Sequence, residues 1–547
     1  MSPEESRNYE ARNLVIGGGI AGIVTALELL EAGQSVLLLD RDTPERFGGL
    51  AIWAFGGMAL VGTDEQRKWK IPDAPEIVLE DWVRFGELAP GEHWPRAWAE
   101  CYARECKEVV YDWVKGLGLK FMPAVNWVER GSSIQGNSLA RYHILWGTGR
   151  VLVQTIIRRL LSHPNRDKLT LLHRHRATGL DFKDGVAVGC RGVDEASGQD
   201  FRARAGNTIV ATGGINGSVE KVREHWPGHW PNAPETILNG AHPFANGEIH
   251  EAAAQAGGKL TNVENMWNYA AGIPHPQPHF EGHGLSLIPC KTVLWLDPDG
   301  REVGPAPMVT SYDTREMCRQ VAEHPYTWQV LNWKIAAKEL AISGAEHNPR
   351  IVNKQFVRFL AETLLGSDRF LKQMVGESPE FVVADDVDEL AGKMNALSGG
   401  NRIDSAYLKS LIEDFDRHME DTALQDKDPR ISRIKNMRQW RGDALRTANM
   451  QPIGERKAGP LLAIRLHFIS RKSLGGLQTD LQGRVLNGEG EPMPGLYAVG
   501  EAAGFGGGGT SGKRSLEGTF LSGCILTARK TAAALVSGAV SEKGVGA

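Results

Sequence analysis

A glycine pattern near the N-terminus constrains this chain more than any other feature. Gly17-x-Gly19-x-x-Gly22 follows the short apolar strand Leu14–Ile16 and precedes Ile23–Ala32, whose apolar residues recur at helical spacing. Gly33 stops that helix, and Ser35–Asp40 reads as a second strand, which completes a βαβ unit. The first glycine permits the tight turn, the second lets backbone approach a pyrophosphate, and the third lets helix pack on strand. The helix N-terminus then offers free N–H groups to the phosphates. Asp40 ends the second strand 18 residues past Gly22, where an acid can bind a ribose hydroxyl and repel a 2′-phosphate.

The rest of the chain extends this start. At 547 residues it exceeds what one core usually serves, so two or more domains are expected. Net charge is −4, which gives no footprint for nucleic acid or an anionic membrane surface. No run of about 18 apolar residues exists, and Met1–Asn13 lacks an apolar signal core. The six cysteines show no zinc or iron–sulfur spacing, and a reduced, cytoplasmic protein is expected.

Asp81–Lys115 and Gly149–Leu161 read as helical, and Lys168–His173 and Gly185–Cys190 as strands. Thr208–Ala211 is a further apolar strand that ends in Thr212-Gly213-Gly214. Gly247–Gly257 reads as a helix, Pro274–His283 as loop and Thr292–Leu296 as strand. From Thr314 to about Arg446 glycine becomes sparse and charge rises, so a mostly helical insertion is expected. Glycine-rich α/β character returns at Gly475, with a last strand at Leu496–Val499 and a last helix at Leu516–Leu535. The expected fold class is α/β. A Rossmann-like cofactor domain, residues 1–244 and 441–547, is interrupted by an α+β substrate or capping domain, residues 245–440.

Three segments in order specify the dinucleotide. Gly495-Leu496-Tyr497-Ala498-Val499-Gly500-Glu501 resembles the second flavin-binding segment of two-dinucleotide-fold flavoproteins, and Ala211-Thr212-Gly213-Gly214 resembles their intermediate segment. Together with Gly17–Gly22 they point to FAD. Further motifs widen the resemblance to almost the full chain: Ala245-Asn246-Gly247-Glu248, Gly475–Asp480, and Gly506–Gly509 leading to Arg514–Phe520. The chain resembles the fumarate reductase/succinate dehydrogenase flavoprotein superfamily. Within it, the chain is most like the branch of 3-ketosteroid dehydrogenases and FAD-binding dehydrogenases.

The resemblance implies a cofactor set of Gly17, Gly19, Ala21, Gly22, Asp40, Arg41, Gly48, Gly49, Gly56, Gly57, Met58, Ala211, Thr212, Gly213, Gly500, Glu501, Ser515 and Leu516. It also implies hydride exchange between flavin N5 and a C–C bond α,β to a carbonyl, with a side chain moving the neighbouring proton. Arg514 stands about where fumarate reductases hold the substrate carboxylate, and Lys472 follows Arg471 where they carry paired histidines. Their arginine proton donor is replaced by Ala336-Ala337 on a loose match over Trp328–Lys338. Steroid dehydrogenases use tyrosines, and Tyr312 and Tyr269 lie in stretches expected to line the cleft. Trp is frequent, 15 residues, and favours a bulky carbonyl substrate such as a ketosteroid over a small dicarboxylate. Reduction of an unsaturated carboxylate and an oxygen-using oxidase or hydroxylase are the alternatives.

Absences complete the reading. Gly49–Met58 holds no histidine, so the FAD is expected to be non-covalent. No second strand–GxGxxG–helix unit offers a nicotinamide site, so a quinone, oxygen or redox protein is expected to exchange electrons. His275, His279 and His283 would share a face only on a helix, which Pro274, Pro276 and Pro278 forbid, and no metal is expected.

Overall fold

The computed structural model describes residues 7–544, with side chains to residue 538. Arg7–Ile16 is a ten-residue strand whose last four positions, Asn13–Ile16, are buried. It pairs in parallel with Val36–Leu39 on one side and Gln199–Val210 on the other. Leu169–Leu172 extends the sheet beyond Val36–Leu39, and Pro492–Ala498 adds in parallel to Gln199–Val210. The last pairing brings the C-terminal segment back beside the N-terminal strand, so Gly500 and Glu501 arrive next to Gly17–Gly22. His175–Lys183 and Val186–Asp194 form an antiparallel extension on Gln199–Val210.

Helix Ile20–Glu31 is buried along nearly its whole length, because the C-terminal helix Thr519–Gly544 and helix Thr148–Leu161 pack against it. Parallel strands covered on both faces read as continuous apolar runs, which Leu37–Leu39 and Thr208–Val210 show.

A second sheet forms around Leu461–Ser473, a 13-residue strand. It pairs antiparallel with Met266–Pro274, Thr327–Asn332 and Phe381–Ala384, and parallel with Ile237–Asn239. Helices between Pro349 and Ala444 cover this sheet, in line with the helical composition of that stretch. The central strand comes from sequence assigned above to the cofactor domain. Its run Leu-Leu-Ala-Ile-Arg-Leu-His-Phe-Ile carries no mark of which sheet it joins; partner strands decide that.

Asp81–Lys115 is not one helix. Pro75–Gly86 ends at Glu87 in the left-handed conformation (φ 53), and His93–Cys106 begins after Pro90 and Gly91. Among the described residues no helix is long and apolar enough to cross a membrane.

Candidate active site

A channel runs between the two sheets in three connected parts. The first cavity is lined by Gly17, Gly19, Asp40, Arg41, Thr212 and Gly213. It opens through Gly19, Leu50, Ala211 and Glu501 into a second, which Ala21, Gly56, Gly57 and Lys472 also line. The second opens through Phe55, Tyr142, Tyr269, Ser343 and Glu517 into a third. The order matches an extended dinucleotide with its ring system at a substrate cleft.

The first cavity is shaped by backbone. Gly17 has φ 110, and a Cβ there would lie 2.4 Å from the Ala211 carbonyl oxygen. A Cβ on Gly22 would lie 1.9 Å from the Gly17 oxygen, whereas one on Gly19 would meet nothing within 4 Å. Strand and helix therefore close on each other at Gly17 and Gly22, and at Gly19 they leave space for a phosphate at the helix N-terminus. Asp40 faces this space, and burial pushes its carboxyl above the usual range, partly offset by the Asp42 N–H that it accepts at 3.2 Å. A ribose diol would supply the missing donors. Arg41 lies over the Phe244 ring at 4.2 Å and pairs with Glu195 at 2.9 Å, which sets its guanidinium along the cavity wall. These residues fit the adenosine diphosphate half of FAD.

Other expected cofactor residues act from behind the wall. Gly48 and Gly49 bring the segment before Phe55 against Gly19, and Gly49 lines the cavity itself. Gly22, Met58, Gly500, Ser515 and Leu516 line no part of the channel. Met58 is fully buried in the core, and Gly500 lets the return strand sit against Ala21, where a Cβ would lie 2.7 Å from the alanine Cβ. Ser515 Oγ is engaged by Thr519 Oγ1 at 2.8 Å at the head of the C-terminal helix. Ser515 and Leu516 thus stand behind the channel wall, and the residue after them, Glu517, faces the channel.

The second cavity carries paired charge. Lys472 is enclosed with its ammonium 4.3 Å from the Phe520 ring centroid, and burial together with the Arg471 guanidinium lowers its pKa. Glu501 accepts the Ser473 N–H at 2.9 Å, and burial raises its pKa. Cys524 is also on this wall, its thiol pushed up to about 12 by burial. No histidine lines this cavity among the described residues.

Between the second and third cavities stand Tyr142, Tyr269 and Glu517. Glu517 Oε2 accepts the Trp267 indole N–H at 2.7 Å and the Tyr269 O–H at 3.1 Å. Tyr142 lies on the strand Tyr142–Leu145, which pairs with Gly57–Ala59; a Cβ on Gly57 would sit 1.9 Å from the phenol oxygen. The ring therefore lies over a glycine. Its hydroxyl has no hydrogen-bond partner among the described residues. Burial raises the pKa of both phenols, with the Glu517 charge adding to it. The third cavity is walled by Val128, Ile144, Leu287 and Met317, with Glu129, Lys291, Asp443 and Arg446 as polar groups. Burial holds the Glu129 carboxyl well above the usual range and raises that of Asp443 to about 6.

Two expected catalytic residues lie elsewhere. Arg514 donates from Nε to Asp313 at 3.2 Å and pairs through a terminal nitrogen with Glu87, and it lines no part of the channel. The reason is local. Lys513 N–H donates to the Gly86 carbonyl at 2.8 Å, which ties this loop to the end of the Pro75–Gly86 helix and turns Arg514 towards Glu87. Tyr312 donates to the Arg433 carbonyl at 3.0 Å, with the Arg433 guanidinium 4.9 Å over its ring; it too stays outside the channel. Tyr269 and Lys472 do face the channel. Sequence reasoning missed Tyr142 and Glu517. The Gly56-Gly57 pair, which makes room for a ring, was the available signal for Tyr142; Glu517 offered none beyond adjacency to Gly518.

Ala336 is buried and Ala337 packs beside Gly366, so no cation enters the channel from that turn. The histidine loop does assemble a cluster: His275, Glu346 and His347 place ligand-type atoms within 4.8 Å of one another. The helix argument for separating these histidines fails, because a loop gathers them against Trp53 instead. His275 Nδ1 accepts the Gln277 N–H at 3.0 Å, which puts the ring proton on Nε2, 3.5 Å from Glu346. His279 Nε2 lies 3.0 Å from the same carboxylate, so Glu346 faces both rings where the loop meets Trp53.

The family model for an FAD-binding domain matches residues 13–521. A KsdD-like steroid dehydrogenase of Mycobacterium tuberculosis is 37% identical over 97% of this chain and 96% of its own. One from Mycolicibacterium smegmatis is 38% identical over 94% of this chain and 96% of its own. The solved structure of the 3-ketosteroid delta1-dehydrogenase from Sterolibacterium denitrificans, in complex with 1,4-androstadiene-3,17-dione, has a TM-score of 0.70 at 14% identity. It covers 97% of this chain and 100% of that one, and shares the fold.

Proposed function

The chain belongs to the FAD-binding domain family and is an FAD-dependent oxidoreductase, and from that premise we propose that it desaturates, or in reverse saturates, a C–C bond α,β to the carbonyl of a bulky ketone such as a ketosteroid. One observation carries the reading: Tyr142, Tyr269 and Glu517 stand where the flavin cavity opens into an apolar cleft. Bound FAD supplies the acceptor or donor of a hydride.

The protein's own groups handle the proton. The free Tyr142 O–H donates to the substrate carbonyl oxygen and makes the α-proton acidic. Glu517, positioned by the Trp267 N–H and the Tyr269 O–H on Oε2, takes that proton on Oε1. In the reverse direction the same carboxyl returns it. Lys472 and Arg471 line the second cavity, where their positive charge would stabilise negative charge on a bound flavin ring. Apolar walls exclude water and suit a carbocycle better than a dicarboxylate.

Arg514 and Tyr312 have no role in this mechanism beyond packing. The FAD is held non-covalently, a reading supported by the absence of histidine, among the described residues, from the lining of the second cavity, where the ring system would lie. The cofactor domain is discontinuous, and the strand Leu461–Ser473 goes with the capping domain. Six free cysteines suit a cytoplasmic location, and a quinone or redox protein is the electron partner. The deciding experiment is anaerobic mixing of the holoenzyme with saturated 3-ketosteroids, followed by their enones. Flavin bleaching by the first and recovery by the second is expected; no exchange with either class removes the CH–CH reading.

A further inference from the structure

The wall of the substrate cleft away from the flavin holds a charge that the proton chemistry does not use. Arg446 lines the cleft, and its guanidinium makes no hydrogen bond and no ion pair among the described residues. Its backbone alone is engaged: the carbonyl accepts from Lys291 Nζ at 2.9 Å and the N–H donates to the Asp443 carbonyl at 3.0 Å. Burial presses its pKa down, yet a guanidinium stays protonated in a protein.

The neighbouring acids are already committed. Glu339 accepts four donors: Lys291 N at 2.6 Å, Thr292 N at 2.9 Å, Thr292 Oγ1 at 2.8 Å and Ala448 N at 2.6 Å. Asp443 is paired with Arg130. Arg446 is half-buried, and its five N–H donors are open to the cleft with no protein acceptor among the described residues, so a ligand in the cleft can take them.

Arg446 and Ala341 also form the wall of an outer pocket that holds Lys338, Arg350 and Arg369. Lys338 Nζ is spent on the carbonyls of Thr363 and Leu364, and Arg350 on Glu362, the one carboxylate of that pocket. The path out of the cleft past Arg446 is therefore cationic, whereas the flavin end presents Glu517. An anion that led with its charge would meet Glu517; one that enters ring-first, trailing its charge, leaves that charge at Arg446.

We propose that the ketone substrate carries a carboxylate-terminated side chain, which Arg446 binds while the carbonyl ring lies at Tyr142 and Glu517. The proposal rests on the reaction assigned above and adds the class of substrate. A fork of guanidinium N–H groups matches a carboxylate in two bonds and sets the ring's distance from the flavin.

The test compares a 3-ketosteroid acid with its methyl ester on the holoenzyme, for wild type, Arg446→Gln and Arg446→Lys. Charge-assisted bonds of this kind predict an acid preference in kcat/KM of about 10- to 100-fold, carried by KM. The preference collapses in Arg446→Gln and returns in part in Arg446→Lys, with FAD content as the folding control. Equal kcat/KM for acid and ester in wild type, or equal loss of both in Arg446→Gln, overturns the proposal. Equilibrium binding of the same pair to the oxidised holoenzyme separates the two readings. Acid-selective binding that Arg446→Gln abolishes, with no flavin reduction by any steroid, keeps the carboxylate site and removes the reaction.

Discussion

The two ends of the channel are built from different materials. The nucleotide end is backbone: Gly17, Gly19 and Gly22 act through the atoms they lack, Gly17 and Gly22 with carbonyl oxygens 2.4 and 1.9 Å from where a Cβ would be and Gly19 with open space. The substrate end is side chain. Tyr142 comes from a short strand after Arg141, Tyr269 from the second sheet, Arg446 from the helical region and Glu517 from the C-terminal return. A backbone cradle tolerates one residue type at each point and fails outright when it is filled. A side-chain site can lose one member and keep its shape.

That contrast predicts the scale of each lesion. Gly22→Val, whose Cβ must push into the Gly17 carbonyl, should abolish FAD binding, read as loss of flavin absorbance in the purified protein. Stoichiometric flavin in that variant would break the backbone account. Glu517→Gln should keep its FAD and lose about 10²- to 10⁴-fold in turnover, the usual worth of a positioned proton acceptor. A Glu517→Gln enzyme within threefold of wild type would move the proton chemistry elsewhere.

Arg514→Gln sharpens the comparison from outside the channel. It strands Asp313, which is 2% exposed, and should cost about 3–5 kcal/mol of stability, seen as a lower Tm, with KM little changed. A selective rise in KM without destabilisation would return Arg514 to the site. The smallest effect is on pH. Burial depresses His143 and His250 from 6.5 to about 4, so both fold as neutral rings. Their contribution is full above pH 6.5 and is lost as pH falls towards 4. Tm should decline over that interval, and His143→Gln should flatten part of the slope.

The sequence was most readable where chemistry demanded a missing side chain. Gly17–Gly22, Asp40 and Gly495–Glu501 could be placed on one cofactor because glycine spacing and strand endings leave few alternatives. It was least readable three residues apart in a single loop. Arg514 and Glu517 are both charged, both near the last helix, and both plausible anchors on paper. The Lys513–Gly86 hydrogen bond and the Gly518 carbonyl, which accepts Ala59 N–H at 2.9 Å, fix the loop so that one faces Glu87 and the other the flavin. Neither contact is local in sequence.

By itself, then, the sequence determined the nucleotide fold, because glycine spacing and strand endings set local backbone geometry, and the resemblance of its motifs to a flavoprotein family supplied the cofactor and the expected reaction class. The tertiary structure alone decided which charges face the substrate. Arg514 is neutralised by Glu87 and Asp313 across more than 200 residues, while Arg446 is left without a counter-ion among the described residues. Pairing of charges depends on which distant segments the sheets bring together, and a charge left unpaired is what a substrate can bind.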